Sequence, residues 1–170
     1  MSEMRMTELG DLTRRSFVAF LASLPFVSRA IASDNVVEVK MLNRHPDNKK
    51  IRNVFLPRVV KIKPGETIKF VSVDKGHNSE SLKGMIPEGA EKWKSKVSKD
   101  FELTIDKPGI YGYKCTPHAT LGMVGMIIVE GEGMTANLET AKAVRHRGKA
   151  KKVWAEIWAE VEEKGLLQTS

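Results

Sequence analysis

From residue 36 onward, apolar and polar positions alternate in short bursts. Val37, Val39 and Met41 alternate with Glu38 and Lys40, the period of two that sets one face of a strand against a core. Residues 59–63 (Val-Val-Lys-Ile-Lys) predict a second strand. After a Pro64-Gly65 turn, a third runs from Thr67 to Val73. Phe101, Leu103 and Ile105 alternate with Glu102 and Thr104. Lys107-Pro108-Gly109 then turns the chain into a strand from Ile110 to Lys114, and a last strand covers Met123 to Val129. Short strands separated by Pro-Gly turns predict an all-β sandwich or barrel. The long connection from Ile86 to Ser98 has room for a helical turn. Beyond Gly131-Glu132-Gly133 the period changes. Thr135 or Asn137 is placed to cap a helix reaching Arg145, and Gly148 breaks it. A second helix over 150–163 gathers Val153, Trp154, Ile157, Trp158 and Val161 on one face. The tail, residues 135–164, is too short for a domain, so two C-terminal α-helices are expected to pack back on the sandwich.

Residues 1–32 read differently. A polar front leads to Thr13-Arg14-Arg15-Ser16-Phe17-Val18, an apolar stretch from Phe17 to Val27 follows, and Ala30-Ile31-Ala32 supplies small residues at a cleavage position. That is the layout of an export signal, with the paired arginines of a bacterial twin-arginine leader. Pro25 inside the apolar stretch argues against a buried helix. The expectation is a signal peptide over 1–32, a mature chain starting near Ser33, and one domain over 33–170 in the exported protein.

The chain has 170 residues, 41% hydrophobic and 29% charged, which suits one soluble domain. Its formal net charge is +7. Residues 1–32 carry four basic and three acidic side chains, so six of those charges remain after processing. The excess is too mild to indicate nucleic acid, but it favours acidic protein surfaces. No apolar run makes a secure membrane span, and the chain is expected to act as a monomer without binding membranes. The single cysteine, Cys115, excludes a disulfide framework, a zinc ribbon and a CxxC pair. A lone thiol in an oxidising compartment must be hidden, paired with another chain or bound to a metal.

One constellation supplies the metal reading. Cys115, His118 and Met123 follow one another at intervals of three and five, on a loop between two predicted strands. Thiolate, imidazole and thioether are the donors that suit copper, and a mononuclear electron-transfer site needs a second in-plane imidazole. His77, in Asp74-Lys75-Gly76-His77-Asn78, follows a predicted strand and is the candidate. His77, Cys115 and His118 then form the plane, and Met123 is the weak axial ligand of one copper ion. Zinc prefers closed Cys/His ligation without a thioether. His45 is expected to be solvent-exposed, and His146, at a helix end, to carry a charge that suits the helix dipole. Neither is taken as a ligand. With four protein donors no position stays open for a substrate, so the site is that of a carrier and not an enzyme. The Asn78 N–H is placed to donate to the sulfur. Pro117 has no N–H to offer. A copper-delivery protein and a binding module with a structural metal are the competing classes. Slow metal exchange with fast electron self-exchange separates a carrier from the first, and folding without metal separates it from the second.

The segments Val73–Asn78, Met85–Lys92 and Lys114–His118, with Asp34–Val36 and Met41–Asn43, closely resemble the pseudoazurins, a family of bacterial cupredoxins. The resemblance covers nearly all of residues 33–170 and includes the two-helix tail. It implies a cupredoxin-like Greek-key β-sandwich with copper near one end, holding His77, Cys115, His118 and Met123 as ligands. It also implies single-electron shuttling in the periplasm, with a copper nitrite reductase as the main partner and c-type cytochromes as others. The outer ring edge of His118 is expected at the surface, inside an apolar collar of Pro117, Leu121, Met85 and Ile86. Around it, Arg44, Lys75, Lys94 and Lys114 match the family's basic ring. The chain departs from the family pattern at Ala119 and Leu121, and in a longer, more charged loop from His45 to Leu56.

Overall fold

The computed structural model describes residues 35–168; the expected export segment, residues 1–32, lies outside them. Among the described residues there are eight strands: β1 (Val36–Arg44), β2 (Arg52–Leu56), β3 (Val59–Ile62), β4 (Thr67–Val71), β5 (Glu80–Ser81), β6 (Phe101–Thr104), β7 (Gly109–Lys114) and β8 (Val124–Val129). They form two four-stranded sheets, in the orders β2-β1-β4-β6 and β3-β8-β7-β5. β1 runs parallel to β4 and β3 parallel to β8, while the remaining pairs are antiparallel. The two parallel pairs join strands distant in sequence, since parallel neighbours need a long crossover connection.

The alternation read from the sequence sets the inner faces. Val39, Met41, Ile68 and Phe70 from one sheet meet Tyr111, Tyr113, Ile127 and Val129 from the other, all buried. Phe55 and Phe70 both set their rings edge-on to Tyr113, at 4.8 and 5.2 Å between centroids. Edge-to-face pairs of this kind add to the burial of the rings themselves.

The six expected strands are present, together with two that the pattern conceals. In β2 only Phe55 is buried, and Asn53 has a φ of 52°, which breaks the alternation. β5 is two polar residues held by pairing with β7. The connection from Ile86 to Ser98 contains turns and one bridge, Glu80 to Lys94, and no helical turn.

β7 and β8 are buried on both faces, which explains the unbroken apolar run in β8. Ile127 and Val129 face the sandwich. Val124, Met126 and Ile128 face a second cluster with Trp154, Ile157 and Val161 of α2 (Ala150–Glu163). The expected first helix shortens to α1, Leu138–Lys142. Asn137 precedes it but does not cap it. Its buried side chain bridges the backbone of β7 instead, accepting the Ile110 N–H at 3.0 Å and donating to the Ile110 carbonyl at 2.8 Å.

His146 departs from its expected charged role. Its ring stacks on Trp154 at 5.0 Å, and burial holds its pKa below the ordinary value of 6.5. The unfolded chain therefore binds a proton at a higher pH than the folded one, and this contact stabilises the fold fully only above about 6.5. The melting temperature of the wild type should fall relative to His146→Gln as pH drops below that value. Parallel curves for the two proteins across this range would refute the assignment.

Candidate metal centre

Two loops from one end of the sandwich build the site. The first leaves β4 and reaches β5, carrying His77 and Asn78. The second follows β7, starts at Cys115, winds through a 3-10 helix (Thr116–Leu121) and returns through Gly122 and Met123 to β8. Pro117 occupies the first turn of that helix, where its missing N–H costs nothing. Gly122 ends it in the left-handed region, at a φ of 96°. The loop closes on itself: Cys115 N–H donates to the Met123 carbonyl at 2.9 Å, and Met123 N–H to the His118 carbonyl at 3.2 Å.

His77, Cys115 and His118 converge. The two Nδ1 atoms are 3.1 Å apart, and the Cys115 Sγ lies 3.8 Å from His77 Nδ1 and 3.5 Å from His118 Nδ1. His77 Nε2 faces the Asn43 Oδ1 at 2.9 Å. A carbonyl oxygen only accepts, so Nε2 carries the proton and Nδ1 turns its lone pair to the other two donors. Metal bonds of about 2.0 Å to imidazole and 2.3 Å to thiolate put such donors roughly 3 to 4 Å apart. The triad fits a single transition-metal ion on that criterion. Met123 is wholly buried, in the same core cluster as Cys115. His118 is half-buried, whereas His77 has no exposed surface.

The electrostatics suit exchange of a proton for a metal. Burial lowers the His77 pKa, and the neighbouring His118 lowers it further, against a smaller opposing effect from Asp74. Burial raises the Cys115 thiol, partly offset by backbone N–H groups of Asn78 and His118. The His118 N–H donates to the Cys115 carbonyl at 3.1 Å.

Polar residues with no periodic signature hold the geometry. The Asn78 side chain accepts the Thr116 N–H at 2.8 Å and donates to Thr116 Oγ1 at 3.0 Å, clamping the two loops together. Ser79 and Ser95 exchange hydrogen bonds at 2.8 and 2.9 Å, Trp93 Nε1 donates to Ser79 Oγ at 2.9 Å, and Ser98 N–H donates to the His77 carbonyl at 2.8 Å. The Ile86–Ser98 connection therefore braces the first loop. Asp74 accepts the Asn43 N–H at 2.6 Å, which ties the end of β1 to the His77 loop. Burial would raise the Glu80 carboxyl, but the Thr116 hydroxyl, Lys114 and Lys94 outweigh it and hold the pKa below its ordinary value. Asn43, Glu80, Ser95 and Thr116 were not singled out in the sequence, because only their proximity to the donors marks them.

The expected surface residues divide. Arg44, Lys75 and Leu121 are exposed. Lys94 and Lys114 share Glu80, at 3.5 and 3.9 Å, so part of their charge is answered internally. Met85 cannot belong to a surface collar. It is wholly buried among the helix-facing residues, against Gly112, where an added Cβ would lie 2.8 Å from its sulfur. Ile86 leaves the collar too: half-buried against the sandwich core, it lines a cleft with Pro87, Lys107 and Pro108 at the start of β7, the opposite end of the strand from Lys114. Strand β7 is short of side chains at Gly109 and Gly112, and Pro87 and Met85 fill the gaps.

Residues 39–130 match the family model for copper-binding proteins of the plastocyanin/azurin family. A pseudoazurin of Methylorubrum extorquens is 39% identical over 145 residues, 85% of this chain and 90% of that protein. A pseudoazurin of Paracoccus pantotrophus is 44% identical over 114 residues, 67% of this chain and 75% of that protein. The crystal structure of pseudoazurin from Methylobacterium extorquens AM1 superposes with a TM-score of 0.69 at 42% identity, covering 75% of this chain and 99% of that one.

Removing the Asn78 side chain strands the Thr116 N–H at the base of the ligand loop. Asn78→Ala should destabilise the metal-free protein by about 1–3 kcal/mol in urea unfolding. Thr104→Ala, which removes one exposed hydroxyl contact with Thr67, should cost about 1 kcal/mol or less. Equal losses in the two variants would contradict the clamp.

Proposed function

The chain belongs to the plastocyanin/azurin family of copper-binding proteins and is a type 1 copper electron carrier, not an enzyme; from that premise we propose that His77, Cys115, His118 and Met123 hold its one copper ion. The observation that carries the assignment is the convergence of two Nδ1 atoms and one Sγ within 4.8 Å of one another. Bound there, copper supplies a one-electron Cu(I)/Cu(II) couple. The protein's part is to hold donors that do not rearrange when the charge changes, and the Asn78–Thr116 clamp and the Asn43–His77 contact serve that purpose. The buried Met123 supports the choice of a thioether as the weak fourth donor.

The working place in this reading is the periplasm, reached by an export signal over residues 1–32 and cleavage near Ser33, which leaves one cupredoxin domain over 33–170 with its helical tail at 135–164. The pseudoazurin relatives imply redox partners. A copper nitrite reductase is the proposed acceptor, with c-type cytochromes as further partners, each docked transiently on a monomer. His118, half-buried on the ligand loop, is the exit for the electron. Pro117 and Leu121, both exposed, form the apolar contact beside it. Arg44 and Lys75 supply steering charge, and Lys94 and Lys114 contribute the part that Glu80 leaves uncompensated.

The thiolate assignment predicts an intense visible band in the copper protein that is lost in Cys115→Ser while the fold survives. The protein should be prepared from the periplasm, where N-terminal sequencing should find a start near Ser33. A band unchanged in Cys115→Ser would refute the thiolate ligand, and an intact Met1 would refute cleavage.

Complementary fields raise association rates by about ten- to a thousandfold at low salt. Lys75→Glu should therefore slow electron transfer to an acidic acceptor in stopped flow without altering the visible band. Rising ionic strength should slow the wild type and close the gap, since screening acts over about 8 Å. Rates indifferent to both charge and salt would overturn the steering role.

A further inference from the structure

A concave groove lies on the other flank of the ligand loop from Lys94 and Lys114. It encloses about 580 Å³ between the start of β2, the end of the 3-10 helix and the first turns of α2. Its floor is apolar: Val54, Val124 and Val153 lie within it, while Ile51 and Leu121 stand at its rim, 42% and 48% exposed. Its walls are cationic, with Lys50 and Arg52 on one side and Lys149 and Lys152 on the other. Among the described residues none of these four makes an ion pair. The one carboxylate in the lining, Glu156, is taken by Arg58 at 2.9 Å.

The groove is joined rigidly to the ligand loop. Gly148, at a φ of 62°, brings the start of α2 against Thr120, and Lys149 N–H donates to the Thr120 carbonyl at 2.9 Å. A Cβ on Gly148 would sit 2.5 Å from that oxygen, and one on Gly122 would sit 2.9 Å from Val153. The 3-10 helix that carries His118 ends at the groove, at Leu121.

We propose that this groove binds an acidic segment of the redox partner, in which carboxylates flank one or two aliphatic side chains. Charge complementarity carries the choice. Four like charges around a low-dielectric floor repel one another and focus a positive potential that an anionic occupant relieves. The exposed Ile51 and Leu121 ask for aliphatic contact between those charges. A second copy of the chain, which is itself basic, is repelled. A bilayer is flat, whereas these cations line the walls of a concavity. Bound here, the segment tethers the partner beside the ligand loop while the opposite flank stays free. The proposal rests on the carrier reading only for the partner's identity.

The test is a titration of the ¹⁵N-labelled Cu(I) protein with the peptide acetyl-Asp-Glu-Leu-Asp-Glu-Leu-amide, followed by amide shifts. The neutral Asn-Gln-Leu-Asn-Gln-Leu analogue and phosphatidylcholine–phosphatidylglycerol vesicles run in parallel. Shifts should gather at residues 50–54, 121–122 and 149–153. The Lys149→Glu/Lys152→Glu variant should weaken binding about tenfold or more, and Lys94→Glu should change it by about twofold or less. An unchanged visible band after oxidation shows that each variant keeps its site. Equal affinity for the neutral peptide, shifts confined to the Lys94 flank, or binding of vesicles in preference to peptide would overturn the proposal. Peptide binding in a protein that fails to transfer electrons would contradict the carrier reading alone.

Discussion

The β7–β8 pair must be covered on both faces, and the rest of the molecule follows from that. One face closes the sandwich around Phe55, Phe70 and Tyr113, and the other needs α2, with Trp154, Ile157 and Val161, to keep it from water. The connection between these two strands carries Cys115, His118 and Met123. A loop spanning two neighbouring, doubly buried strands has little freedom to move. The helical tail therefore supports the site directly, through Lys149 on Thr120 and Val153 on Gly122.

Holding the loop is not enough, because His77 arrives from elsewhere. It comes on a loop between β4 and β5, and its position depends on polar contacts across large sequence separations: Asn43 on its ring, Ser98 on its carbonyl, and Asn78 on Thr116. Most of these groups are satisfied by partners within the protein, which is how polar residues are tolerated beside a buried site. The Asn43 contact also fixes which ring nitrogen faces inward. A carrier needs this kind of rigidity, since any rearrangement between oxidation states slows transfer.

Charge is distributed unevenly around this end of the molecule. Glu80 draws Lys94 and Lys114 toward the clamp through Thr116, so these lysines have a structural partner as well as a surface role. Lys75 and Arg44, and the four cations of the groove, have no such partner among the described residues. Field strength at the docking surface depends more on these than on a count of basic residues in the sequence.

Local patterns were enough to recover six strands and α2, and to bring Cys115, His118 and Met123 forward as candidate donors. The period-two alternation of Val37, Val39 and Met41, the 3–4 spacing in α2 and the order Cys115, His118, Met123 are each written within a few residues of chain. Where neither the pattern nor the resemblance could decide, distant partners did. β2 hides behind the positive φ of Asn53, and β5 exists only because β7 pairs with it. Asn137 reads as a helix cap but serves β7, while His146 reads as a charged helix end but stacks on Trp154. Met85, expected in the surface collar, lies inside because Gly112 in β7 leaves a space that only the folded chain reveals. Periodicity records which face a residue presents to the core. Which group it meets there depends on packing between segments tens of residues apart, and only the tertiary structure decided that.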